Sequence, residues 1–185
     1  SRTAGFVEEF RKGFKSSFEA FSSPTSATGM PPEIRKVLDD MRHTKITYRS
    51  FSDLFVAEVA MGGEPPYAVL RCAFGVFAAA ASMMLLSFRS GHSLRGAIEV
   101  APGIRLDTGE VYGPVLNSAY ELEHGVADYP RIVIGQGVER YLKDYSEVTG
   151  QEWPQRLTKA GAHSCSDVLT RDHDGQLILD YAGAS

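Results

Sequence analysis

The sequence predicts an α+β domain whose strands pair mainly antiparallel, and three observations lead there. Strand-like runs come in pairs joined by short turn signals, at 45–61, 94–112 and 168–181. Runs with helical spacing lie before and between those pairs. A chain of 185 residues with 43% hydrophobic and 23% charged residues suits one domain, 1–185, that buries a proper core. Each element follows from local pattern.

The opening stretch predicts a helix. Phe6, Phe10, Phe14, Phe18 and Phe21 recur at spacings of four, four, four and three, with Glu8, Glu9, Lys12, Lys15 and Glu19 on the other faces. Such a stripe reads as core or partner packing, with a ligand groove as the alternative. Residues 22–30 form a polar loop with Gly and Pro. Pro31-Pro32 then start a short helix whose apolar positions are Ile34, Val37, Leu38 and Met41.

From Lys45 the period changes. KITYRS and LFVAEVAM are β-branched and aromatic runs joined by Phe51-Ser52-Asp53, a hairpin with an acidic residue at or beside its turn. An Asp there can satisfy nearby backbone N–H groups or, held on a rigid hairpin, ligate a divalent cation. One carboxylate does not separate the two. After Gly62-Gly63-Glu64-Pro65-Pro66 a long helix follows, whose apolar core Arg71 and Arg89 bracket. Its run from Cys72 to Leu86 is shorter than the roughly 20 apolar residues a bilayer needs, so it reads as a buried helix on a sheet. Met83 and Met84 read as core fillers.

Gly91 ends that helix and leads into a strand over Leu94–Val100, a turn at Asp107-Thr108-Gly109, a short strand through Tyr112, a helix from Pro114 to Gly125 and a strand from Pro130. Alternation places Arg95 opposite Leu94, Gly96 and Ile98. Its guanidinium either pairs with Glu99 or another carboxylate, or faces a polyphosphate. On the helix, Asn117 and Glu121 share a face at i, i+4, with Tyr120 and Glu123 expected to point elsewhere. Asn has poor propensity inside a helix, which points mildly to function against plain surface tolerance. Gln136 to Val148 has a further helical pattern, Trp153-Pro154 ends that region, and the tail is a hairpin turning at Asp174-Gly175.

Several function classes drop out. A net charge of −4 argues against a surface built to hold nucleic acid, though not against a local phosphate pocket. Cys72 and Cys165 lie far apart without a CxxC partner, and the five histidines lack zinc spacing. No GxSxG, Walker loop or GxGxxG occurs, and Asp172-x-Asp174-Gly175 lacks the other ligands of a calcium loop, so it reads as turn chemistry. With no leader pattern at the start, the expected setting is reducing and cytoplasmic, with no membrane partner.

Taken together, the FSD hairpin, the long helix, RGAI, GEVYGPVLNSAYELE, YPRIVI and the terminal DGQLILDY resemble the catalytic domain of the class III nucleotidyl cyclases over Lys45 to Tyr181. The resemblance is closest to the bacterial branch containing the pyrimidine cyclases of Pycsar antiphage defence. It implies a ferredoxin-like βαββαβ core of mainly antiparallel sheet flanked by helices. It also implies conversion of a nucleoside triphosphate, UTP before CTP, to a 3′,5′-cyclic mononucleotide and pyrophosphate. Asp53 matches the metal Asp of the cyclase hairpin, Tyr48 and Arg49 its base-reading strand positions, Glu110 the second base-reading position and Asn117 the helical Asn. Two Mn²⁺ or Mg²⁺ ions per site and a homodimer with interfacial sites are implied as well.

Two positions depart from the family pattern. Its transition-state Arg, four residues after the Asn, is Glu121 here, which leaves that role vacant or passes it to Arg95 or Arg131. The family's first strand, bearing the first metal Asp, has no counterpart before the opening helix. Either that strand precedes the residues given or the protein is an inactive relative; the intact Asp53 and later motifs favour the first. A purine cyclase, and a cyclase-like module that binds without catalysis, are the rival expectations.

Overall fold

The computed structural model describes residues 2–22, 32, 35, 46–51, 54–62, 65–107 and 111–183. The chain is α+β, and it divides into two compact units: Ser1–Met83 with Tyr145–Cys165, and Met84–Asp144 with Ser166–Ser185. The helix predicted from Pro31 lies outside the described residues, apart from Pro32 and Arg35.

In the first unit, α1 (Arg2–Ser22) carries the phenylalanine stripe. Phe14 and Phe18 are buried, and the rings of Phe10 and Phe14 lie 5.5 and 4.9 Å from that of Phe55. Phe10 and Phe14 therefore pack on a hairpin, as core and not as a groove. That hairpin is β1 (Ile46–Phe51) with β2 (Leu54–Val59), antiparallel in register from Ile46 with Val59 to Phe51 with Leu54.

The long helix α2 (Pro66–Arg89) is apolar enough by length and composition to cross a membrane, yet half of its apolar stretch is buried in the protein. The sequence predicts a sheet as its neighbour. In the first unit it packs against a helix, α5 (Trp153–Ser166), in a stretch where local pattern suggests only the end of a region. Tyr67 and Ala68 pack with Leu157, and the Cys165 thiol donates to the Leu70 carbonyl at 3.4 Å. A Cβ on Gly161 would stand 3.1 Å from Leu70 Cβ, so the missing side chain lets the two backbones approach. The signal for α5 is Pro154 in its first turn and Thr158, Ala162 and Cys165 buried at i, i+4, i+7. Small and polar residues on the inner face hide it from a hydropathy reading.

In the second unit, α2 stops as predicted at Gly91, whose φ is 73°. Gly91 N–H donates to Phe88 O at 3.0 Å and His92 N–H to Ser87 O at 2.9 Å, which closes the last turn with a left-handed residue. Then come β3 (Gly96–Ile98), β4 (Ile104–Arg105), β5 (Val111–Tyr112), α3 (Pro114–Gly125), β6 (Ile132–Ile134), α4 (Gln136–Ser146), β7 (Leu169–Arg171) and β8 (Leu177–Leu179). One four-stranded sheet has the order β3-β6-β8-β7, while β4 and β5 form a separate antiparallel pair. Strands β3 and β6 are parallel, and the other neighbours in that sheet are antiparallel. A parallel pair needs a crossover, which the β4–β5 hairpin and α3 supply.

Strand β3 is shorter than the predicted Leu94–Val100 because Glu99 and Val100 turn toward α4. The Glu99 carboxylate accepts from Val100 N–H at 2.7 Å and Gly137 N–H at 2.9 Å, placing negative charge at the positive end of α4. Gly137 is required there: a Cβ would stand 1.8 Å from the Val100 carbonyl oxygen. Between them β6 is buried throughout, with Val133 wholly enclosed.

Candidate functional site

The crossover helix α3 is positioned at both ends and exposed between them. Its first residue is Pro114, and Gly113 before it has φ 126°, with Pro102 O 3.1 Å from where a Cβ would stand. Val115 N–H donates to that same Pro102 carbonyl at 3.2 Å, so the chain before the hairpin caps the helix. No residue of α3 is fully buried. Asn117, Tyr120, Glu121 and His124 are all exposed, at i, i+3, i+4 and i+7. Tyr120 therefore shares the face of Asn117 and Glu121, against the expectation that it points elsewhere. Its ring stacks on His124, with centroids 5.5 Å apart.

Two arginines hold the far end. Arg95, expected inside a strand, stands immediately before β3 with its side chain partly exposed, because the pairing begins at Gly96. Its Nε lies 2.6 Å from Glu123 Oε1, so the carboxylate that meets it is on α3, and Glu99 is engaged at α4 instead. Arg131, immediately before β6, is buried. Its Nη2 donates to the Val126 carbonyl just past α3 at 2.7 Å and to Asp174 Oδ2 at 2.8 Å. Its Nη1 donates to Tyr129 Oη at 2.8 Å and Asp172 Oδ2 at 2.9 Å. The guanidinium carbon also sits 4.2 Å from the centroid of the Tyr129 ring.

This network explains the DxDG turn. Asp172 and Asp174 serve Arg131, and they also order the β7–β8 turn: Asp172 Oδ1 accepts from His173 N–H at 2.7 Å and Asp174 Oδ1 from Gln176 N–H at 3.0 Å. The Tyr129 hydroxyl, followed by His173, holds the Asp172 carboxyl well below the usual carboxylate range, and the Arg131 hydrogen bond lowers Asp174. Removal from water, with the hydrogen bond to Asp172 next, pushes Tyr129 up to about 12. The Asp174 hydrogen bond is the main cause of the raised Arg131 pKa. Arg131 is a candidate catalytic cation by sequence; burial and these partners commit it to the fold. An arginine next to an apolar strand, with a DxDG turn elsewhere in the chain, is the available signal.

The other candidates divide between the units. Tyr48 and Arg49 lie on β1 of the first unit, where Tyr48 is exposed with its ring stacked 6.1 Å from Phe55 and Arg49 is half-buried opposite Val56. Asp53 and Glu110 lie outside the described residues. Arg95 and Asn117 belong to the second unit, both linked to α3. Among the described residues, no group of three or more His, Cys, Asp or Glu side chains comes together to hold a metal. Cys72 and Cys165 are both buried and are not joined in a disulfide. No family model, curated protein or solved structure matches the chain.

Proposed function

We propose that the chain is a class III-type nucleotidyl cyclase domain that converts UTP, before CTP, to the 3′,5′-cyclic mononucleotide and pyrophosphate. Its product would serve as a second messenger in antiphage defence, made in the cytoplasm by a homodimer with interfacial sites. The observation that carries the reading is α3, which sets Asn117 on an exposed polar stripe. A strand and a hairpin deliver that helix, and the segment linking the hairpin's two strands includes Glu110.

In the reaction, the ribose 3′-oxygen bonds to the α-phosphorus, the bond to pyrophosphate breaks, and the hydroxyl proton leaves to solvent. Asn117 would hydrogen-bond the ribose or the developing charge. Tyr48, Arg49 and Glu110 would read the base, their Tyr-Arg pair suiting a pyrimidine. Asp53 would hold Mn²⁺ or Mg²⁺. Such ions, when bound, supply positive charge for the attacking and leaving oxygens.

A second reading has one observation in its favour. With Glu121 in the family's arginine position, Arg95 and Arg131 are the substitutes, and both are ion-paired within the fold. A cyclase-like module that binds a nucleotide without turning it over fits that arrangement. Incubating the full-length protein with UTP, CTP, ATP and GTP plus Mn²⁺, and identifying products by mass spectrometry, separates these readings. cUMP as main product supports the first, cAMP or cGMP replaces the base assignment, and nucleotide binding without any cyclic product leaves the module.

A further inference from the structure

We infer that Glu123 and Arg95 form a positioning pair that sets the seat of α3, and with it Asn117, so that Arg95 acts through the helix and not on substrate. The inference rests on the cyclase reading for its effect on turnover, but not for its structural half.

Strands β3 and β6 are parallel neighbours with Gly96 opposite Ile132, and Gly96 N–H donates to Arg131 O at 3.0 Å. Arg95 and Arg131 are therefore the residues before the first pair of two adjacent strands. From there both reach the end of α3: Arg95 to the Glu123 carboxylate at 2.6 Å, Arg131 to the Val126 carbonyl at 2.7 Å. Cations suit a helix C-terminus, where carbonyls point outward. Glu123 by itself is misplaced in that last turn, and the guanidinium of Arg95 offsets its charge.

The two anchors are unequal. Arg131 is buried and shared among Val126, Tyr129, Asp172 and Asp174. The Arg95 side chain is 44% exposed and the Glu123 side chain 23%. Helix α3 buries no residue fully, and the partly exposed Arg95–Glu123 pair is the part of its anchorage that a single surface substitution can release. Asn117 lies six residues before Glu123 on the same rigid rod, so a tilt at one end displaces the other. Misplacing a group by about 1 Å can cost roughly a hundredfold in rate.

The test uses Glu123→Gln, Arg95→Glu and the exchanged pair Arg95→Glu/Glu123→Arg in the full-length protein, with two readouts. Amide hydrogen exchange should rise over residues 114–125 in each single variant, stay unchanged over 136–146, and return toward wild type in the exchanged pair. Unchanged exchange over 114–125 overturns the pair as an anchor, whatever the activity. In turnover with UTP, each single variant should lose on the order of tenfold to a hundredfold in kcat with KM little changed, and the exchanged pair should recover most of it. In an Asn117→Ala background, Glu123→Gln should cost less than about twofold, because the group it positions is gone. Additive losses, or an exchanged pair that restores exchange but not turnover, would place Arg95 on the substrate instead. If the wild type forms no cyclic nucleotide, the cyclase reading fails and hydrogen exchange alone decides the anchor.

Discussion

Arg131 and Asp174, 43 residues apart in sequence, meet at 2.8 Å between Nη2 and Oδ2, with the guanidinium side chain only 3% exposed. Removing the cation would leave Asp172 and Asp174 facing each other without compensation and would uncap the Val126 carbonyl. Arg131→Met is accordingly expected to lower unfolding stability by about 3 kcal/mol, measured by urea titration. A loss under about 1 kcal/mol would mean that the turn holds without it.

The same network fixes the response to acid. Asp172 and Asp174 have folded pKa values below the ordinary 3.8. Groups of that kind contribute stability that is present above the unfolded value and is lost as pH falls through the folded one. Their contribution should therefore be constant from neutral pH to about 5 and decline below about 4. Asp172→Asn should lower stability at pH 7 and weaken the acid dependence of the urea midpoint. An unchanged slope in that variant would remove the carboxylate from the account.

Two glycines make a matched pair of opposite sign. A Cβ on Gly137 would stand 1.8 Å from Val100 O and 2.5 Å from Glu99 Oε1, so Gly137→Ala must displace backbone or expel the carboxylate from the start of α4. The expected cost is about 3 kcal/mol or more. A Cβ added at Gly5, within α1, would meet nothing within 4 Å, and Gly5→Ala should gain roughly 0.5–1 kcal/mol from helix propensity. Thermal melts of both variants check the pair, and a neutral Gly137→Ala would contradict the close approach.

Cys165 should be inert in the native protein. Burial pushes its thiol up to about 12, and the sulfur donates to Leu70 O. A thiol-specific reagent at pH 8 should leave it unmodified until denaturant is added, as followed by mass spectrometry. Rapid labelling of Cys165 in the folded protein would show that α5 opens from α2.

Local pattern carries much of the fold. The phenylalanine stripe, the β1–β2 hairpin, the Gly91 stop, α3 and the tail hairpin all rest on spacing and turn chemistry that neighbouring residues determine among themselves. What escapes is set at a distance. Helix α5 buries Thr158, Ala162 and Cys165, residues too small or polar to mark a face. The partner of Arg95 is open in the sequence between Glu99 and other carboxylates because strand length decides it: β3 ends at Ile98, which sends Glu99 to Gly137 and leaves Glu123 for the arginine. Of the candidate site, the exposure of Asn117 follows from the amphipathic pattern of α3. The commitment of Arg131 does not, since its carboxylates lie more than 40 residues away.

The central claim, that this chain makes a cyclic nucleotide, is tested most directly by following UTP with Mn²⁺ and full-length protein while quantifying cUMP and pyrophosphate together. The account predicts one pyrophosphate for each cUMP in the wild type and neither product from Asp53→Ala, with hydrogen exchange showing that variant folded. Equal cUMP formation by wild type and Asp53→Ala would contradict the assignment of Asp53, and UTP left unconverted by the wild type would contradict the claim itself.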